Sequence, residues 1–319
     1  MLMGFFMLIS GEELKKKREN ASNSPFKQIY GPIPEPTETI ETERGKLSPR
    51  NTLNNLTGTE WIKFSRSWFE HHPPPRNKNT GEILHPAKFP EDLVGNFIKF
   101  FTKEGMWVLD PFLGTGSTLV ACDQTRRNGI GIELTEKWAK IAEKRTQQYV
   151  IHGDSRDIEQ FGLPPIDFCI SSPPYWDMLH HSRGGSESTQ KDRIKQGLDA
   201  KFSDNPLDFG NIPAYNDFME SLLSLYQHIL AVMTPGKYCA VVMQNTLKQN
   251  QEFYPAAWEF ALKMRERGWQ VCQEFIWCQR DKKLGIWGFP NTYISNVHHH
   301  YILIFRKPEE KPLKRKRKN

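Results

Sequence analysis

Long apolar runs are missing from this chain. Nowhere do the roughly 18 consecutive apolar residues needed to cross a bilayer occur, so the reading carries no membrane partner. Cysteine is also scarce. The five (Cys122, Cys169, Cys239, Cys272 and Cys278) are scattered, with no Cys-x-x-Cys pair. An odd number without paired spacing argues against a disulfide framework or a zinc site and fits reduced, buried thiols in a cytoplasmic protein. A net excess of charge is lacking too, once its location is considered. The formal charge is +6, but Lys311, Lys314, Arg315, Lys316, Arg317 and Lys318 supply six positive charges at the end of the chain. The rest is balanced, at 37 basic and 37 acidic residues. Net charge therefore does not mark a nucleic-acid surface on the body of the protein.

What is present is globular material. The 319 residues are 38% hydrophobic and 12% aromatic, enough for a sizeable core. Met1–Ser10 is apolar, but short and without a basic leader or a small-residue cleavage site, so it reads as an N-terminal extension rather than a signal peptide. Residues 1–55, polar from Gly11 onwards, are expected to form a flexible extension. Trp61, Phe64, Trp68 and Phe69 recur at helical spacing and predict a short amphipathic helix with aromatics in the core. Residues 56–310 form the expected catalytic domain, and 311–319 a basic tail.

From Pro90 the pattern alternates. Helices are predicted at Glu91–Lys103, Ser117–Arg126, Thr135–Gln147, Tyr215–Met233 and Glu252–Arg267. Strands are predicted at Met106–Leu109, Gly129–Glu133, Tyr149–Ile151, Ile166–Ser171, Lys237–Gln244, Trp269–Gln279 and Val297–Arg306. Such alternation indicates an α/β sheet with helices on both faces. The polar stretch 176–213 has no periodicity, and a long structureless insertion in a compact domain is often functional.

Two motifs carry chemistry. Asp110-Pro-Phe-Leu-Gly-Thr-Gly-Ser-Thr118 follows a buried strand and opens a helix. Gly114 and Gly116 permit a sharp turn and close approach of a ligand, and the helix start offers free N–H groups. Glu133, at the end of the next strand, can accept hydrogen bonds from two ribose hydroxyls. Together these describe a nucleoside-cofactor site. The third glycine of a pyrophosphate fingerprint and the Gly-Lys-Ser/Thr of a P-loop are both absent. The second motif, Ser172-Pro-Pro-Tyr175, follows the strand Ile166–Ser171. Two prolines remove two N–H donors. They leave the Ser172 hydroxyl and the Pro173 carbonyl as acceptors for an exocyclic amine, with Tyr175 as a flat face for a base. His298, His299 and His300 invite a metal reading, but adjacent residues on a strand alternate faces and do not converge on one ion.

These motifs resemble those of the amino-methyltransferases of DNA that use S-adenosylmethionine. Residues 110–118 look like the family's cofactor loop and 172–175 like its catalytic motif. His85–Pro90 resembles the stretch that closes over the methionine end of the cofactor, and His152–Asp157 the next loop. Tyr301–Lys307 resembles the terminal strand. The resemblance implies a doubly wound, Rossmann-like methyltransferase sheet, mostly parallel with an antiparallel final strand. It implies a catalytic set of Ser172, Pro173, Pro174 and Tyr175. The implied cofactor set is Phe89, Pro90, Asp110, Phe112, Gly114, Gly116, Ser117, Thr118, Glu133, Asp154 and Ser155, with Asp154 meeting the adenine amine. No metal is implied. Serine in the first position of the catalytic motif suggests the N4 amine of cytosine, with the N6 amine of adenine as the alternative. A C5-cytosine enzyme is disfavoured, because no cysteine follows a proline. An RNA base or a non-catalytic DNA-binding or cofactor-sensing role are further alternatives. The implied partner is double-stranded DNA, and by analogy a cognate restriction endonuclease. The cofactor loop precedes the catalytic motif here, unlike in many relatives with this motif, so motif order does not locate target recognition. The candidates are 176–213, then Arg280–His300.

Overall fold

A computed structural model describes residues 8–18, 24–71, 90–176, 205–247, 252–280, 284–286 and 288–309. In chain order, the first part holds β1 (Leu8–Ser10), α1 (Gly11–Arg18), β2 (Ile40–Thr42), β3 (Gly45–Leu47), α2 (Gly58–Lys63) and β4 (Trp68–Glu70). The alternating region follows: α3 (Glu91–Phe101), β5 (Trp107–Asp110), α4 (Ser117–Thr125), β6 (Asn128–Glu133), α5 (Glu136–Glu143), β7 (Tyr149–His152) and β8 (Ile166–Ser171). Then come α6 (Tyr215–Val232), β9 (Met233–Met243), the short β10 (Thr246–Leu247) and β11 (Phe253–Tyr254), α7 (Ala256–Glu266), β12 (Gln270–Cys278) and β13 (His299–Arg306).

Among the described residues, nine strands form one sheet in the order β1-β7-β6-β5-β8-β9-β13-β12-β4. Only β13 runs against its neighbours; every other pairing in the sheet is parallel. This is the doubly wound, mostly parallel sheet with an antiparallel final strand that was expected. Alternate residues of each strand face opposite layers. Val108, Phe168, Ile170, Ala240, Val242, Ile302 and Ile304 pack with α3 and α4. Leu109, Ile130, Ile132, Cys169, Val241, Leu303 and Phe305 pack with α6 and α7. Both faces are covered, so the central strands read as continuous apolar runs rather than alternating ones.

β5 and β8 lie side by side, Leu109 opposite Cys169. From β5 the chain winds outward through β6 and β7; from β8 it winds the other way through β9. This reversal opens a crevice at the carboxyl ends of β5 and β8, the place where such sheets bind ligands. Both motifs leave the sheet at that point.

The N-terminal expectation is corrected in its described part. β1 extends the sheet, with Ile9 opposite Ile151. Leu14 and Phe26 are buried in the core. The Asn128 side chain accepts from the backbone N–H groups of Ile29 and Tyr30 (2.7 and 2.8 Å) and donates to the Tyr30 carbonyl at 2.9 Å. The backbone there is held by side-chain hydrogen bonds, which hydrophobic patterning does not register. The predicted helix over Trp61–Phe69 is also corrected: α2 stops at Lys63 and Trp68–Glu70 becomes strand β4, pairing with β12. Phe64 does pack in the core, stacked on Phe100 at 4.2 Å, whereas Trp68 is half-exposed.

Candidate active site

The turn after β5 is fixed from several sides. The buried Asp110 carboxylate accepts from the Thr118 hydroxyl (2.5 Å) and the Phe112 N–H (3.0 Å), and burial raises its pKa to about 6. Leu113 donates its N–H to the Ile132 carbonyl, and its side chain lies where a Cβ on Gly131 would be, 2.5 Å away. Gly116 has φ +90°, a conformation L side chains rarely adopt, and its missing Cβ leaves room for Ala142 of α5 at 3.0 Å. The two glycines therefore differ in use. Gly114 borders the cleft and donates its N–H to Glu133 at 2.8 Å. Gly116 is packed against α5 and is not among the residues lining the cleft.

One cleft, of about 1070 Å³ counting its space open to solvent, spans both motifs. Of the predicted cofactor set it brings together Asp110, Phe112, Gly114, Ser117, Thr118, Glu133, Asp154 and Ser155. All four predicted catalytic residues, Ser172, Pro173, Pro174 and Tyr175, line it too. Pro90 is buried at the start of α3, where its carbonyl accepts from Val94, and does not line the cleft. Phe89 and the rest of His85–Phe89 lie outside the described residues.

Glu133 is the cleft's central acid. Its two oxygens accept from Gly114 N–H and Thr135 N–H, each at 2.8 Å. Burial still dominates and pushes its pKa up to about 7, with a smaller contribution from nearby Asp208. The Thr135 hydroxyl adds a further hydrogen bond, and an acid in this state gains from donors to its remaining lone pairs. Phe112, Ile132, Leu134, Trp138 and Phe209 give the surrounding wall an apolar and aromatic character that suits a purine. The donor set and the wall fit a nucleoside with a free diol.

Asp154 carries a partner of its own. Its carboxylate is forked by the Arg156 guanidinium, at 2.9 and 3.0 Å from Nε and 2.6 Å from the terminal nitrogen, and also accepts the Arg156 N–H. That use occupies much of its acceptor capacity, and Asp154 lines the cleft with the Arg156 fork behind it. Arg156 also donates to the Leu207 carbonyl at 2.6 Å and lies over the Phe209 ring at 5.0 Å. It thereby ties Leu207-Asp208-Phe209 across the mouth of the cleft. Phe209 meets Phe112 edge-on at 5.4 Å. Sequence reasoning placed these three residues in an undifferentiated polar insertion. The signals available were a buried-type aromatic, Phe209, in a polar run, and Asp208 positioned to cap the turn Phe209–Asn211. Trp176, at the other end of that insertion, is likewise core, packed on Tyr215 and Tyr254. Residues 177–204 lie outside the described residues.

Ser171 and Ser172 divide their roles. Ser171 is buried and shares a 2.6 Å hydrogen bond with Tyr226, while Ser172 faces the cleft. The Tyr175 hydroxyl meets His300 Nδ1 at 2.9 Å. Burial raises the Tyr175 phenol to about 12, against a smaller opposing effect of the Ser172 hydroxyl, so it stays protonated at neutral pH.

Among the described residues no helix is long and apolar enough to cross a membrane. Cys122, Cys169 and Cys239 are buried, as expected, but Cys272 is exposed.

Comparison with known proteins follows the same lines. Residues 12–144 match a family described as DNA methylase, of the N6/N4 amino-methyltransferase type. Over 98 residues the chain is 35% identical to the Type II methyltransferase M.BglI of Bacillus subtilis, covering 31% of this chain and 27% of that one. Over 106 residues it is 33% identical to M.HpaI of Haemophilus parainfluenzae (33% and 32%). Over 63 residues it is 43% identical to M2.DpnII of Streptococcus pneumoniae (20% and 24%). The matches thus span about a quarter to a third of these relatives' length. Among solved structures, an rRNA methylase from Streptococcus thermophilus aligns with TM-score 0.41 and 11% identity, over 70% of this chain and all of that one.

Proposed function

We propose that this chain, which bears out its resemblance to the S-adenosylmethionine-dependent amino-methyltransferases of DNA, transfers a methyl group to the exocyclic N4 amine of cytosine in double-stranded DNA. One observation supports this above others: the Ser172–Tyr175 turn and the Asp110–Gly116 turn share a single cleft across the switch between β5 and β8.

When bound, the cofactor supplies an electrophilic methyl on a sulfonium. The chain's own residues do the rest. Glu133 receives the ribose diol and Phe112, Trp138 and Phe209 enclose the purine. A base inside a duplex cannot reach this cleft, so the target nucleotide is flipped out. The Tyr175 ring stacks on it. The Ser172 hydroxyl and Pro173 carbonyl accept the two amine N–H groups, which turns the nitrogen lone pair away from the ring. Positioning of this kind lowers the barrier by several kcal/mol, up to about 7–11 in favourable cases. No covalent enzyme intermediate is needed.

Ser172 stands where family members acting on adenine usually carry aspartate, which supports cytosine. The loop between β12 and β13 is the recognition element in this reading. It stands on the edge of the sheet that carries the catalytic motif. Its neck is closed by Asn296, which exchanges two 2.9 Å hydrogen bonds with Gly285. Leu284, Ile286, Phe289 and Tyr293 are 79–93% exposed on it. Side chains of this kind can wedge between base steps. The protein acts in the cytoplasm, and a restriction endonuclease of the same site specificity is its partner by analogy.

Nucleoside analysis of DNA from cells expressing the protein, with long-read mapping, tests the reading. N4-methylcytosine at one short sequence is expected. N6-methyladenine at such a sequence would correct the base. Methylated RNA with unmodified DNA, or no transfer at all, would overturn the reading.

A further inference from the structure

We infer that His300 is a positioning residue for Tyr175, holding the ring in the plane that receives the target base. The inference rests on the methyl-transfer reading above, and it starts from a histidine run that reading does not use. His300 is the second residue of β13, opposite Trp277 of β12. Its ring stacks on Trp277 at 4.9 Å with 30° between planes. Trp277 in turn meets His71 edge-on at 6.3 Å, and His71 Nε2 lies 2.8 Å from Asp92 in the first turn of α3. His300 is therefore fixed by a row of rings that ends on a core helix. Its neighbour His299 goes elsewhere, edge-on to Tyr301 at 5.1 Å.

Tyr175 needs such a holder. It follows two prolines in a turn with no ladder hydrogen bonds, and a stacking platform is useful only if its plane is set before the base arrives. The phenol oxygen lies 2.9 Å from Nδ1, and the ring centroids lie 5.9 Å apart; as the proposed anchor, the phenol is the donor. Nδ1 can accept only in the neutral tautomer that carries its proton on Nε2. A phenylalanine at position 175 would keep the stacking face and lose the anchor.

The test is a double-mutant cycle on methyl transfer to DNA. Tyr175→Phe and His300→Ala should each lower kcat roughly fivefold, the worth of one hydrogen bond. KM for the methyl donor should not change. The double variant should be no slower than either single one, and His300→Asn, which returns an acceptor near the Nδ1 position, should recover most of the rate. Multiplying losses in the double variant, or a raised KM for the donor with unchanged kcat, would overturn the inference. A second measurement is independent of activity. The nitrogen NMR signals of His300 should report the Nε2-protonated tautomer, with Nδ1 shifting in Tyr175→Phe. If the wild-type protein methylates nothing, the functional reading fails while this contact is still decided: an Nδ1 signal indifferent to Tyr175→Phe refutes it.

Discussion

Glu133 should make cofactor binding depend on pH in a calculable way. In the free protein burial holds its pKa near 7, against an ordinary 4.5. Two ribose hydroxyls donating to the carboxylate favour its charged form and return the pKa towards the ordinary value. At pH 6 the free protein then carries this acid about nine-tenths protonated, and binding expels that proton. Affinity at pH 6 should be about tenfold weaker than at pH 8, about 1.4 kcal/mol, with little further change above pH 8. Calorimetric titration with S-adenosylhomocysteine, in two buffers of different ionisation enthalpy, measures both quantities. Close to one proton should be released at pH 6 and almost none at pH 8. Glu133→Gln should abolish the slope and weaken binding at pH 8. The same shift has a stability consequence of opposite sense. Because the folded pKa is raised, the contribution of Glu133 is intact below pH 4.5 and is lost as pH rises towards 7, by about 3 kcal/mol. Glu133→Gln should therefore melt higher than wild type at pH 8 while binding less well. Flat affinity from pH 6 to 8, or a slope that survives in Glu133→Gln, would refute the placement of Glu133 on the diol. Asp110, near 6, would then be the group to examine.

Other changes separate binding from chemistry. Tyr175→Ala should abolish methyl transfer while S-adenosylhomocysteine still binds by calorimetry; equal loss of both would make Tyr175 structural. Arg156→Ala removes the fork on Asp154 and the contacts to Leu207 and Phe209, and should weaken cofactor binding about tenfold and lower the melting temperature by a few degrees, since charge-assisted bonds of this kind are worth about 1.5–3 kcal/mol before solvent screening. Gly116→Ala forces φ +90° on a Cβ that meets Ala142 at 3.0 Å, and should cost about 1–3 kcal/mol, read as a lower denaturant midpoint. Removing residues 311–318 should weaken DNA binding and flatten its salt dependence without altering the sequence methylated.

How much of this was legible follows from how local each signal is. The strands β5 to β9 and their helices were readable because each is a contiguous apolar run or stripe bounded by glycine, proline or polar residues. The two motifs were readable for the same reason: each is one uninterrupted turn after a strand. Features held by distant partners were not. Residues 24–30 show no periodicity of either helix or strand, and Asn128, about a hundred positions away, supplies hydrogen bonds that order them. Trp68 and Phe69 continued a helical spacing, but pairing with β12 outweighed that weak preference. Asp154 sat in the right motif, but its fork to Arg156, and through Arg156 the tie to Leu207 and Phe209, is not something motif matching weighs.

His300 shows the same limit at the site itself. Three consecutive histidines on a strand cannot share an ion, and that alternation is local enough to read. What alternation also implies is that His300 faces away from His299, and the start of β13 sets His300 beside the turn after β8, through β9, 125 residues from Tyr175. Excluding a metal therefore left the run without a role, although one of its rings meets the residue proposed to hold the base. A site built at a topological switch point draws its chemistry from strand ends that are adjacent in space and remote in sequence. Its supporting groups are remote for the same reason, and no spacing rule along the chain reaches them.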